Sequence, residues 1–451
     1  MGAIDRAALS ALQNATNVAV VGSGISGLAC AWLLSQRHRV TLFEAAPRLG
    51  GHTNTVDVTV DGKTHPVDTG FLVFNEKTYP NLIALFATLG VESVQTEMSF
   101  AVSLENPDLE WAGSSLATVF GQKRNLLRPA FWTMLSDILR FNRESTAWLA
   151  VHPGDERPLG DFLKKGRYSD AFADWYLLPM AAAIWSCPTA QMRDMPLATF
   201  VRFCQNHGLL QIFDRPMWRT VRGGGREYVN RIAAQLDDVR LASPVQRVTR
   251  EASGLRVTHA HGSEVFDQVV LACHSDQSLA ILGETASAGQ REVLASVRYQ
   301  PNRAVLHTDA RLLPRDRKLW SAWNYFAGSG DPGSQPVGVS YLINRLQPLP
   351  FETPVVVTLN PAREPNPEKI IAEFDYDHPI FDASAIAAQQ RLADDRLGIQ
   401  GEGGVWLAGA WGRFGFHEDG LRSALRVANL MGIAAPWQKV PASLSPAVAR
   451  A

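Results

Sequence analysis

Val18 to Val21 is an unbroken apolar run, a glycine-rich break follows, and Leu28 to Leu34 is apolar at nearly every position. A short run of this kind reads as a buried strand and the longer one as a buried helix. A second short run ends at Phe43, so the pattern predicts strand, turn, helix and strand in that order. Far downstream, Trp406 to Ala410 predicts another strand and Leu421 to Met431 a last helix. Between these ends, Phe131 to Leu149 and Phe172 to Trp185 repeat apolar residues at helical spacing. Pro179 is expected to kink or end the second of them, because it has no backbone N–H and its ring crowds the preceding turn. Ala304 to Leu306, Val337 to Ile343 and Val355 to Leu359 are short β-prone runs bounded by Pro, Gly and Asn, and Ala385 to Leu392 predicts a helix. The stretch 96–215 therefore reads as largely helical, and 286–401 as a sheet with helical edges.

The break after the first strand is Gly22-Ser23-Gly24-Ile25-Ser26-Gly27, and Glu44 stands twenty positions after Gly24, directly behind the second strand. This order of elements is the phosphate-binding turn of a dinucleotide fold. Gly22 permits the tight turn, Gly24 lets the backbone approach a pyrophosphate, and Gly27 lets helix and strand pack closely. The N–H groups of the new helix, Ser26 included, face the phosphates. A carboxylate at Glu44, followed by Ala45, accepts from ribose hydroxyls and repels a 2′-phosphate, so FAD or NAD is favoured over NADP.

Behind the acid, Arg48-Leu49-Gly50-Gly51-His52-Thr53 has two glycines that let the chain fold over a pyrophosphate and an arginine to neutralise it. From this point the chain resembles the flavin-containing amine oxidase and phytoene desaturase superfamily. Val67-Asp68-Thr69-Gly70, Gly223-Gly224-Gly225, Ser243-Pro244-Val245 and the segment from Trp406 through Gly420 carry the likeness over most of the chain. The resemblance implies FAD, with Val245 against the adenine and Gly409, Ala410, Asp419, Gly420 and Leu421 in the flavin-contacting segment. It also implies an α/β fold: a Rossmann-type, glutathione-reductase-like FAD-binding domain made of 1–95, 216–285 and 402–435. A mixed α+β substrate domain, 96–215 and 286–401, is interleaved with it, and 436–451 is a fraying tail. His52 stands where many members have arginine. The stretch Arg298 to Val305 has no lysine where amine-oxidising members usually place one, Arg303 being the nearest basic substitute. No cysteine follows Cys273, so the FAD is expected to be noncovalent.

A net charge of -1 gives nucleic-acid binding no electrostatic support. Cys30, Cys187, Cys204 and Cys273 lack metal-ligand spacing and read as buried thiols of a reducing compartment. Residues 1–14 have no basic start followed by an apolar core, so no secretion signal is expected, and no apolar run reaches the length of a membrane span. A cytoplasmic protein is expected; Lys123, Arg124, Arg128 and the following helix read either as a solvated charge run beside a core helix or as a landing patch for peripheral contact on the inner face of a membrane.

His417, Glu418 and Asp419 stand immediately before the last predicted helix and are the candidates for proton transfer. His417 leads, because a neutral imidazole titrates near working pH. Two readings stay open for the trio, the other being that Asp419 caps the helix, Glu418 complements its dipole and His417 is a hydrogen-bonded spacer. The large apolar residues from Phe131 to Trp185 suit either a greasy tunnel or a packed core between domains. Trp323, Asn324 and Tyr325 either line that cavity or support a strand. The stretches Ser321 to Tyr325, Thr358 to Pro361 and His417 to Gly420 look like a bacterial group found beside cyclopropane-fatty-acid synthase-like methyltransferases. That likeness implies a fatty acyl substrate, free or within a phospholipid, and a methyltransferase partner. The expected activity is desaturation of an unsaturated chain by hydride transfer to flavin; double-bond isomerisation, amine oxidation and noncatalytic lipid carriage are the alternatives.

Overall fold

The computed structural model describes residues 15–155, 157–186, 188–211, 216–328 and 338–438. The expectations for 1–14, Cys187, Val337 and most of the tail, 439–451, lie outside these residues.

Two sheets organise the molecule. The first is five-stranded and wholly parallel, in the order Asp238–Arg240, Arg39–Phe43, Asn17–Val21, Gln268–Leu271 and Val405–Leu407. Past their first residues, Asn17 and Gln268, its strands Asn17–Val21 and Gln268–Leu271 are apolar and buried because both faces are covered. The helix Ile25–Leu34 is buried at every position and packs against His417–Leu430. In such a sheet ligands bind beyond the carboxyl ends of the strands, where Gly22, Glu44 and Ala408 follow.

The second sheet has seven strands, in the order Ile370–Asp375, Arg303–His307, Val356–Leu359, Gly338–Leu342, Trp323–Ala327, Phe100–Leu104 and Leu109–Ala112. The last two correct the largely helical expectation for 96–215: Phe100–Leu104 pairs in parallel with Trp323–Ala327, and Leu109–Ala112 closes the edge. Short strands buried on both faces carry no alternation, and these two were hidden beside long helices for that reason. The residues about Trp323 support this sheet: buried Asn324 donates from Nδ2 to the carbonyls of Ser321 and Ser340.

The long helix Pro129–Val151 buries Phe131, Met134, Phe141 and Leu149 in a common apolar core with Leu177, Leu178, Met180 and Trp185. Trp132 and Leu139, read as facing either a tunnel or a packed core, are instead 50% and 57% exposed. Pro179 does not end its helix. Five residues, Ala173–Leu177, take a π-helical register and Leu178–Trp185 continues. The wider register accommodates a residue that cannot donate to the preceding turn. The carbonyl of Trp175, four positions before the proline, accepts instead from Trp111 Nε1 at 3.3 Å. Cys30 and Cys204 are buried free thiols and Cys273 is partly buried. Among the described residues no helix is long and apolar enough to cross a membrane.

Candidate functional site

The nucleotide end is made of backbone. Gly22 adopts φ 98°, a left-handed value that turns the chain out of its strand toward the helix. Gly24 caps that helix with no side-chain hydrogen bond, and a Cβ built on it would meet nothing within 4 Å. The first-turn N–H groups thus face open space of the kind an anion fills. Gly50 N bonds the Ser23 carbonyl at 3.1 Å, bringing Gly51 and His52 onto the turn. Glu44 accepts from Ser23 N and Ala46 N, both at 2.8 Å, and from Ser23 Oγ, so its carboxylate is fixed beside the turn with Ala45 between. Arg48 reaches only the carbonyls of Leu49 and Thr53, at 3.4 Å each, and remains available to an anion. Ser243 N bonds the Glu44 carbonyl at 2.9 Å, and Val245 starts the next strand there.

The last helix begins at His417, four residues earlier than its apolar pattern indicates. Polar His417, Glu418 and Asp419 hide this boundary; they form the first helical turn instead of preceding it. Asp419 accepts from Phe416 N at 3.2 Å, closing the cap. Ser26 Oγ donates to the Gly420 carbonyl at 3.0 Å, and a Cβ on Gly420 would lie 2.7 Å from Ile25 Cγ2. Both helix N-termini therefore point into one region. Gly409 N donates to Ser423 Oγ, which ties Ala410 and the preceding strand to Leu421 and its helix.

The three proton-transfer candidates are held differently. Glu418 accepts from Asn81 N, Asn81 Nδ2 and Leu82 N, capping the helix Pro80–Leu89, while burial pushes its carboxyl above the usual range. Burial raises Asp419 to about 6. His417 Nε2 lies 2.8 Å from Thr53 Oγ1 and 3.1 Å from Tyr228 OH, and its ring stacks on Phe71 at 3.7 Å. Desolvation lowers it to about 3, so the imidazole is neutral.

Two arginines approach this trio, Arg413 at 3.7 Å from Asp419 and Arg422 at 3.8 Å from Glu418, and the remaining walls are uncharged rings. Phe203 stacks on His207 at 3.9 Å and on Phe416 at 5.2 Å, with Phe414 and Trp185 against it. Opposite, His52 lies 5.0 Å from Tyr376 and 5.5 Å from His378, and its buried Nε2 finds no hydrogen-bond partner among the described residues. Burial, reinforced by His378, His274, His417 and Arg48, holds His52 well below the ordinary histidine range. Burial likewise lowers His207 and His378 to about 4. Arg303 is no basic substitute here, because it is engaged with Glu364 and Glu373 at the surface. Every lysine among the described residues is exposed.

Sequence reasoning missed Phe71, Tyr228, His274, Tyr376 and His378. Its one available signal was the pairing of Asp68 with the triple glycine: buried Asp68 accepts from Gly225 N at 2.9 Å, placing the helix that carries Tyr228. Burial raises that carboxyl to about 6.

The comparisons agree with this geometry. A carotenoid phi-ring synthase of Streptomyces griseus is 27% identical over 312 residues, 63% of this chain and 57% of that protein. The chain thus spans little more than half the length of that curated relative. Two solved structures share the fold: a CLA-producing fatty acid isomerase from P. acnes (TM-score 0.63, 15% identity) and putrescine oxidase bound to putrescine (TM-score 0.62, 19% identity). Each covers 92% of this chain and 98% of the other. The family model for flavin-containing amine oxidoreductases matches residues 25–431. An open glycine turn, a fixed acid behind it and two helix N-termini are what a flavin nucleotide needs, and the chain belongs to the flavin-containing amine oxidoreductase family as an FAD-dependent oxidoreductase.

Proposed function

We propose that the protein holds FAD noncovalently and removes hydrogen from an unsaturated, nonpolar chain such as a fatty acyl group, creating a further double bond. The observation that carries this reading is the ring-lined wall of the reaction end: stacked phenylalanines and histidines kept neutral by burial, with the described lysines all exposed. Such a wall favours hydrocarbon. The names of the S. griseus and P. acnes proteins, a carotenoid and a fatty acid enzyme, fit the same substrate class.

FAD, when bound, supplies a two-electron acceptor for hydride. The chain's own residues do the rest. Gly24 and the N-terminus of Ile25–Leu34 take the pyrophosphate, with Arg48 adding charge, and Glu44 takes the ribose. The N-terminus of His417–Leu430 favours negative charge developing on the ring system. Asp419, with Oδ2 bound to Phe416 N and Oδ1 3.7 Å from Arg413 Nε, accepts the proton, its pKa of about 6 lying near working pH. His417, too weakly basic for that task, orients the site through Thr53 and Tyr228. The electrons leave to oxygen or a quinone.

Anaerobic mixing with unsaturated phospholipid or free fatty acid tests the proposal. One equivalent of chain should bleach the flavin and gain a double bond, and Asp419→Asn should slow the bleaching about a hundredfold or more. Continued anaerobic turnover with a shifted double bond would make the enzyme an isomerase. Peroxide released from an amine would make it an amine oxidase. An unchanged spectrum across acyl chains that do bind would leave a lipid carrier.

A further inference from the structure

Leu116 and Leu127 are 79% and 86% exposed, and Leu126 and Trp132 are about half exposed, all on the 116–132 segment. The four are contiguous. Phe120 N bonds the Leu116 carbonyl, the Phe120 ring lies 5.1 Å from Trp132, and Trp132 Nε1 donates to the Leu126 carbonyl at 3.0 Å. The following helix extends the stripe, with Leu139 two turns beyond Trp132 on the same face. Leucines this exposed and this close are unusual on a water-facing surface.

Cations ring the patch. Lys123 and Arg128 flank the leucines, and the turn Arg317–Leu319 lies alongside, where a Cβ on Gly121 would sit 2.6 Å from Leu319 Cδ2. Asp108 is shared by Arg124 and Arg315, and Glu110 also holds Arg315. Asp316 caps the N–H of Lys318. Among the described residues no carboxylate pairs with Lys123, Arg128, Arg317 or Lys318, so the rim carries net positive charge. Exposed leucine and tryptophan inside a basic rim match the interface of an anionic bilayer, apolar below and negative at the surface.

We propose that this face docks the protein onto an anionic lipid surface, with Leu116, Leu126, Leu127 and Trp132 entering the interface and Lys123, Arg128, Arg317 and Lys318 meeting the headgroups. The inner side of the same helix leads inward through Phe141, Phe200, Trp185 and Phe203 to Phe416, ring centroids 6.4, 6.0, 4.5 and 5.2 Å apart in turn. Those rings are packed core joining the patch to the reaction end; an acyl route along them would rest on the function proposed above, whereas docking itself does not.

Flotation of the purified flavoprotein with vesicles separates the two. With phosphatidylcholine containing phosphatidylglycerol, the protein should float at low salt and much less at high salt. The double variant Leu116→Ser/Leu127→Ser should bind about tenfold or more weakly, Lys123→Glu should weaken binding less, and both should keep the parent flavin absorbance per protein. Absence of flotation, or equal flotation of the variants, overturns the proposal. So does a dimer in light scattering that the serine variant dissociates, since the patch would then join two copies of the chain. Failure of flavin bleaching by acyl chains leaves this result untouched.

Discussion

At the proposed nucleotide end of the site the candidate binding surface is the chain's own backbone, presented by glycines within one short segment; at the proposed reaction end it is side chains gathered from segments hundreds of residues apart. Gly22, Gly24, Gly27 and Glu44 fall within 23 consecutive positions, whereas Phe71, His207, Tyr228, Tyr376 and His417 come together only in the folded molecule. Backbone sites fail sharply when a single atom is added. Side-chain sites share their hydrogen bonds and fail by degrees.

The largest effect expected is at the glycines, and two of them separate packing from binding. A Cβ on Gly27 would lie 1.7 Å from the Gly22 carbonyl oxygen, a backbone atom, so Gly27→Val should abolish flavin binding and the parent fold together. Gly24 has φ -62° and open space, so Gly24→Ala should leave the unfolding temperature of the flavin-free protein unchanged. Its methyl would enter the space proposed for the pyrophosphate and should weaken flavin binding about tenfold or more, or about 1.4 kcal/mol. Flavin content and thermal unfolding of both variants decide this. A Gly24→Ala protein with full flavin affinity would remove the turn from the binding site.

Next comes pH, which acts on the reaction end. His52, His207, His378 and His417 are neutral in the fold at pH values where the unfolded chain, with a pKa near 6.5, takes up protons. Their folded-state pKa values are depressed, so the unfolded state binds more protons and stability falls as pH drops from about 6.5 toward 4. Asp68 and Asp419, raised to about 6, act oppositely, since the folded state takes up their protons first. The histidines outnumber them, and each net proton amounts to about 1.4 kcal/mol per pH unit. Unfolding temperature should therefore decline steadily across that window. His307, also at about 4 but seated in the second sheet beside Thr358, supplies the control: His307→Gln should reduce the slope by one proton without altering flavin affinity. A flat profile from 6.5 to 4.5 would mean that the ring cluster is solvated.

These two ends also explain what could be read in advance. The turn was legible because its physics is local: spacing, glycine and a following acid are all sequence properties. The reaction end was not, because no spacing links His52 to His378 or Thr53 to Tyr228. Where local signals misled, tertiary contacts had taken over. The last helix starts at His417 because Asp419 caps it, and the Pro179 helix continues because Trp111 satisfies the carbonyl the proline cannot. Strands 100–104 and 109–112 lacked alternation for want of a wet face.

Glu44 gives a smaller, graded effect at the nucleotide end. Charge-assisted hydrogen bonds of this kind contribute about 1.5 to 3 kcal/mol, so Glu44→Ala should weaken flavin binding roughly tenfold to a hundredfold. The same variant loses the bonds that hold Ser23, so some of the change should appear as lower stability of the flavin-free protein. Glu44→Gln, which keeps an acceptor, should recover part of both, and titration of flavin fluorescence measures the affinities.

The smallest effect belongs to the Thr53, Tyr228 and His417 cluster, where each member has two partners. Tyr228→Phe removes the 2.6 Å bond to Thr53 and the 3.1 Å bond to His417, yet the remaining pair stays joined at 2.8 Å and no buried acceptor is orphaned. The cost should accordingly be that of an ordinary net hydrogen bond, about 0.5 to 1.5 kcal/mol. Thr53→Val should cost more, because Thr53 takes both short contacts and its loss leaves only the 3.1 Å bond between the aromatic hydroxyl and the imidazole. Denaturant unfolding of the two variants gives the ordering directly. If Tyr228→Phe proved the costlier, the tyrosine hydroxyl would be the hub that orients His417, and the reaction end would hang on a single side chain much as the nucleotide end hangs on a single glycine.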